Sequence, residues 1–150
     1  MKKMILIVLL FGVLLLTACA SHIADTNGEE DYSLCALKPE ELTATSPKYL
    51  KSFSAQKQTN GTYSMKVGKM SGVEKLFSFS VSADDPKTFV VTTHRTAGNL
   101  YLYVYQNGQI LQEIPIGESQ QITISGESGT CEIRVAAESA AFSVEITAAS

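Results

Sequence analysis

From Phe53 onward, apolar and polar positions alternate with period two. Tyr63, Met65 and Val67 form one such run, and Phe77, Phe79 and Val81 form another. Phe89, Val91 and Thr93 follow, then Leu100, Leu102 and Val104. Ile110 and Ile114 flank Gln112, and Ile122 and Ile124 flank Thr123. Cys131, Ile133 and Val135 make the seventh run; Phe142, Val144 and Ile146 make the last. Successive strand side chains point to opposite faces, so this pattern predicts half-buried antiparallel strands. Turn residues punctuate it at Asn60-Gly61, Asp84-Asp85-Pro86, Gly98-Asn99, Asn107-Gly108, Gly117-Glu118 and Gly126 to Gly129. Asn107-Gly108 is the strongest hairpin signal, because a type I′ turn needs positive φ at both central positions. About eight short strands at this spacing predict an all-β fold, an antiparallel β-sandwich over residues 55–150. A closed barrel is the second architecture compatible with the pattern.

Upstream, the alternation is lost. Residues 32–54 are expected to be irregular or briefly helical and packed on the domain. Pro39-Glu40-Glu41-Leu42 suits one helical turn, with proline early and acids in the first turn. Ser46-Pro47 offers a similar start. Residues 20–31 are polar, acidic and nearly free of large apolar groups, the composition of a flexible tether.

At the N-terminus, Lys2 and Lys3 precede an apolar run of 13 residues from Met4 to Leu16. A spanning helix needs roughly 20 residues, so residues 1–18 predict a cleaved signal peptide in place of a membrane helix. The run ends in Leu16-Thr17-Ala18-Cys19, an aliphatic residue and two small residues before a cysteine. This resembles the lipobox of bacterial lipoproteins. The resemblance implies lipidation of the Cys19 thiol, cleavage before it, and a mature chain held to a membrane by lipid. It further implies export to the extracytoplasmic side. Each buried CH₂ of such an anchor adds about 0.8 kcal/mol, so several acyl chains attach stably.

The chain has 12 basic and 15 acidic residues; loss of Lys2 and Lys3 with the leader leaves ten against fifteen, net −5. No basic patch is evident from this balance. It argues against nucleic acid as a partner and against a second, electrostatic contact with the membrane. With Cys19 lipidated, Cys35 and Cys131 remain. An oxidising compartment permits a disulfide between them, worth roughly 2–4 kcal/mol; two free thiols packed as small hydrophobes are the alternative.

Motifs for chemistry are scarce. His22 lies in the tether and His94 at a strand end, and neither has a partner that suggests a dyad. Gly126-Glu127-Ser128-Gly129-Thr130 approaches a nucleophile elbow, lacks its last glycine and sits between strands, so it reads as a turn. No zinc spacing, phosphate loop or dinucleotide fingerprint occurs. Asp84-Asp85 reads as a solvated turn, since calcium asks for six or more oxygens from several segments. The protein is therefore expected to be no enzyme and to need no metal or cofactor. Tyr101, Tyr103 and Tyr105 are the most suggestive group. They alternate with core positions and so share the face opposite the core. Three roles fit them: a binding surface for sugar or protein, cross-strand cover, or burial beneath the 31–54 segment.

Three stretches carry a second resemblance. Val73 to Val81, Asn99 to Gly108, and Gly129 to Val135 followed by Phe142 to Ile146 are similar to the opening strand, central strand and closing hairpin of the bacterial pre-peptidase C-terminal domain. That family implies a jelly-roll-like sandwich serving as a non-catalytic accessory or binding module. Asn99 and Tyr101 stand where members often carry aspartates, and Cys131 where they usually carry an aromatic ring. The expected function is a lipid-anchored envelope protein whose sandwich binds a protein or glycan. A structural envelope component working by self-association is the alternative, and a small hydrolase a remote one.

Overall fold

The computed structural model describes residues 37–149. The leader, Cys19, the tether and Cys35 lie outside the described residues. Among those described, no helix is long and apolar enough to cross a membrane.

The described chain is all-β apart from one helical turn, α1 (Pro39–Leu42), which has the expected proline start and acidic first turn. Six strands follow: β1 (Tyr49–Thr59), β2 (Thr62–Val81), β3 (Lys87–Gln106), β4 (Gln109–Ile114), β5 (Gln120–Ile124) and β6 (Gly129–Ala148). They form one open antiparallel sheet in the order β1-β2-β6-β3-β4, with β5 also paired to β3. The open sheet replaces the closed barrel. Ser46-Pro47 starts no helix, and β1 begins at Tyr49, inside the stretch expected to be irregular.

The strand count departs from the eight expected, and the reason is local. All eight alternating runs are strand, but three pairs of runs are fused. Tyr63–Val67 and Phe77–Val81 both belong to β2; Phe89–Thr93 and Leu100–Val104 both belong to β3. Cys131–Val135 and Phe142–Ile146 form one continuous β6, so no closing hairpin separates them. Asn60-Gly61 and Asn107-Gly108 are true hairpin turns, with all four residues at positive φ. Gly98-Asn99, by contrast, lies within β3.

Backbone irregularities recur at mid-length in the long strands and in β1, and a β-bulge bends the strand that carries it. Phe53 in β1 (φ 52°), Gly72 in β2 (φ 106°), Ser139 in β6 (φ 51°) and Gly98 in β3 (φ 72°) all take the left-handed conformation there. Register slips at the same place, between Val67 and Gly72 of β2 and between Arg95 and Asn99 of β3. A one-residue slip turns every following side chain to the other face. Core positions accordingly change parity, from Phe89 and Val91 to Leu100, Leu102 and Val104, and from Ile133 and Val135 to Phe142 and Val144. The main core gathers residues from both halves of β2, β3 and β6, together with Ile114, Ile122 and Ile124. Gly98 is needed because the backbone of Ser139 passes so close that a Cβ there would lie 2.4 Å from its carbonyl oxygen.

Candidate functional site

The three tyrosines do share the face opposite the main core, but that face is not open. β3 sends Leu100, Leu102 and Val104 inward and Tyr101, Tyr103 and Tyr105 outward. Leu37 and Leu42 then pack over a second cluster made of Tyr103, Tyr105, Val73 and Ala136. Tyr103 is fully buried, Tyr105 is 8% exposed, and only Tyr101 is half-buried. The Tyr103 hydroxyl donates a 2.7 Å hydrogen bond to the carbonyl of Leu42. Tyr101 stacks on Tyr103 at 5.1 Å between ring centres. Burial, and secondarily the charge of Glu113, raises the Tyr101 phenol above its ordinary pKa. Of the three roles open to these tyrosines, burial beneath the 31–54 segment holds for Tyr103 and Tyr105, and the binding surface is corrected accordingly. The segment around α1 has its own apolar groups to bury, and these rings are what it covers.

Arg134 holds that cover in place. It stands on β6 opposite Tyr103, on the outward side, and is 1% exposed. Its Nη1 donates to the carbonyl of Ala44 at 2.7 Å and, more weakly, to that of Leu42 at 3.4 Å. Nε and Nη2 engage one carboxylate oxygen of Glu132, each at 2.7 Å. The guanidinium lies 3.4 Å from the centre of the Tyr105 ring. A buried arginine is tolerated only when its donors are satisfied. Here they are satisfied by the chain leading from α1, by a neighbour on the same strand, and by an aromatic face. Nothing in the alternation distinguished Arg134 from a solvent-facing residue.

A second buried charge lies by β1. Glu74 (6% exposed) pairs with Lys51, Oε1 to Nζ at 2.5 Å. The other carboxylate oxygen, Oε2, has no hydrogen-bond partner among the described residues. Tyr63 lies nearby; burial first, and the Glu74 charge second, push its phenol up to about 12. Its hydroxyl reaches the sulfur of Met65 at 3.5 Å.

The remaining sequence candidates are dispersed. Cys131 is a free thiol sealed in the main core, where burial raises its pKa. Cys19 and Cys35 fall outside the described residues. His94 is exposed on β3 with Ser143 opposite it. Gly126–Thr130 joins β5 to the start of β6. Asp85 pairs with Lys87 at the β2–β3 connection. No group of three or more metal-ligating side chains occurs among the described residues.

The surface that alternation did not reveal is β1. It is an edge strand of 11 residues, exposed at every position except the half-buried Lys51. Among the described residues, three of the four exposed large hydrophobics lie on it: Tyr49, Leu50 and Phe53. An open depression beside it is lined by Ala55, Lys57, Ser64, Lys66, Thr92 and Glu145, among others. Comparison of the chain with protein-family models, curated proteins and solved structures finds no match in any of the three.

Proposed function

We propose that this protein is a non-catalytic, lipid-anchored envelope protein whose all-β domain is a binding or accessory module for a protein or glycan. The observation that carries the reading is Leu16-Thr17-Ala18-Cys19 directly after a 13-residue apolar run. Lipid transfer alkylates sulfur, and only a cysteine at that point offers it. We read the folded-over sheet as a jelly-roll-like sandwich of the pre-peptidase C-terminal kind. The support is that the main core draws on both halves of β2, β3 and β6. The non-catalytic part of the proposal has support in how the domain spends its buried polar groups. Arg134 and Glu74 are tied to Glu132, Lys51 and main-chain carbonyls, and Cys131 is closed off in the core.

Fractionation of cells expressing the wild-type chain and Cys19→Ser tests the anchor. After a high-salt wash, wild type is expected to stay in the membrane pellet until detergent releases it, and Cys19→Ser to pass into the soluble fraction. Equal retention of both forms after a high-salt wash, which strips electrostatically held protein, would remove the reading.

The second reading, self-association as a structural component, is favoured by β1. A long edge strand exposes unpaired N–H and C=O groups that a second copy could extend. Sedimentation of residues 20–150 decides it: a monomer at all concentrations is incompatible with this reading.

A further inference from the structure

The lysines are segregated. Between Lys48 and Val81 the chain carries six lysines (Lys48, Lys51, Lys57, Lys66, Lys69, Lys75) and one acid, Glu74, a net of +5. The other described residues carry four basic groups and ten acids, a net of −6. The overall negative balance conceals this division, and the absence of a basic patch expected from it is corrected here. Glu74 is already neutralised by Lys51. Lys48, Lys57, Lys66 and Lys69 are exposed and form no ion pair among the described residues; Lys75 reaches Glu132 only at 3.9 Å. Glu145 is the acid at the margin, beside Lys57 and Lys66.

These charges surround exposed apolar groups. Met65, Val67 and Met70 point into the core, so Lys66 and Lys69 between them point away from it. Ser52 pairs with Lys69, Leu50 with Ser71, and Ala55 with Lys66. Leu50 is 82% exposed and Phe53 91%. Phe53 also holds φ at 52°, rare for a bulky residue, and stands directly over Gly68, where a Cβ would lie 3.1 Å from its own. A fold that tolerates this strain keeps an aromatic ring out in solvent among lysines.

We propose that the β1–β2 edge is a membrane-facing surface that binds anionic lipid headgroups, its lysines on the phosphates and Leu50 and Phe53 at the acyl boundary. Charge complementarity selects the anionic surface, and the two apolar side chains select a bilayer over a soluble polyanion. Chain length is compatible with the anchor reading. The 18 residues from Cys19 to Leu37 can span at most about 60 Å. An anchored domain would thus stay within reach of the bilayer, which raises its effective concentration there. The surface itself does not depend on lipidation, and its test omits Cys19.

A chain of residues 20–150 keeps both hydrophobic clusters of the described residues. The chain has no tryptophan, so Phe53→Trp supplies a single indole reporter. The probe is vesicles of phosphatidylcholine alone, or with about one-third phosphatidylglycerol. Expected are co-sedimentation and a blue-shifted indole emission with the anionic vesicles only, reversed by high salt. Lys66→Glu with Lys69→Glu is expected to weaken partitioning at least about tenfold, with an unchanged unfolding midpoint. Equal partitioning to neutral vesicles, or to neither, overturns the proposal. Capture by a soluble acidic glycan without vesicle binding also overturns it and makes the surface a glycan site.

Discussion

The guanidinium of Arg134 lies 3.4 Å from the centre of the Tyr105 ring, and the same group donates to the carbonyl of Ala44. Through this contact the segment leading from α1 becomes part of the domain. Arg134→Ala would leave the Ala44 carbonyl and the Oε2 of Glu132 without their donor, while the Leu42 carbonyl keeps the Tyr103 hydroxyl. Breaking a buried charge–hydrogen-bond cluster of this kind costs about 2–4 kcal/mol. The expected outcome is a stability loss of that size in urea unfolding, together with faster proteolysis within residues 37–48. A loss below about 0.5 kcal/mol would show that the cluster is not holding the segment.

Tyr103→Phe tests the same cover more gently. It removes the hydroxyl that donates to Leu42 and leaves the ring. The expected cost is about 1 kcal/mol, with faster hydrogen exchange confined to α1 and its flanks.

Tyr63 sets a limit at high pH. Burial first, and the Glu74 charge second, push its phenol up to about 12 in the fold, from an ordinary value of 10.0. A group whose folded pKa is raised contributes stability that is fully present below the unfolded value. That contribution is lost as pH climbs through the folded one, because the unfolded chain gives up its proton first. Stability is therefore expected to fall between pH 10 and 12, by about 1–2 kcal/mol from this residue once solvent screening is allowed for. Tyr63→Phe should remove that part of the slope. Identical slopes for the two proteins across the window would contradict the assignment.

Glycine substitutions separate close approach from simple turn strain. Gly98→Ala places a Cβ 2.4 Å from the Ser139 carbonyl oxygen at φ 72°, and only movement of the backbone could relieve it. Gly108→Ala sits at φ 83° with open space around it. Calorimetry is expected to show a cost of about 1 kcal/mol at Gly108 and several-fold more at Gly98. Equal costs would mean that the bend does not need a bare backbone at Gly98.

Cys131 should be unreactive toward thiol reagents in the native chain and react once urea opens the core. Cys35→Ser in the Cys19→Ser background isolates that thiol. Rapid labelling without denaturant would contradict its burial.

Much of this architecture was legible in the alternation, and the failures have physical causes. Every apolar run predicted as strand is strand, and Asn60-Gly61 and Asn107-Gly108 turn as their side-chain chemistry requires. The fusion of runs went unseen because a bend and a turn use similar residues: Gly98-Asn99 serves a bend. Between Val135 and Phe142 the sequence has no glycine, proline, asparagine or aspartate, yet the buried positions change parity. That combination is the readable trace of a bent continuous strand. β1 left no trace because Tyr-Leu-Lys-Ser-Phe-Ser-Ala-Gln-Lys-Gln-Thr buries neither face, and alternation reports burial. The tyrosines were placed on their face correctly, and cover by the 31–54 segment was one of the three roles open to them; which of the three holds is a tertiary fact. Arg134 stayed hidden for the same reason. The basic edge was readable by counting lysines segment by segment, a signal that whole-chain charge averages away.

The central claim is the lipid on Cys19, and the intact mass of the protein purified from envelope membranes tests it most directly. The account predicts a chain that begins at Cys19 and carries the added mass of diacylglycerol on sulfur, with no such species from Cys19→Ser. A chain that keeps residues 1–18, or one cleaved elsewhere with an unmodified Cys19, would contradict it.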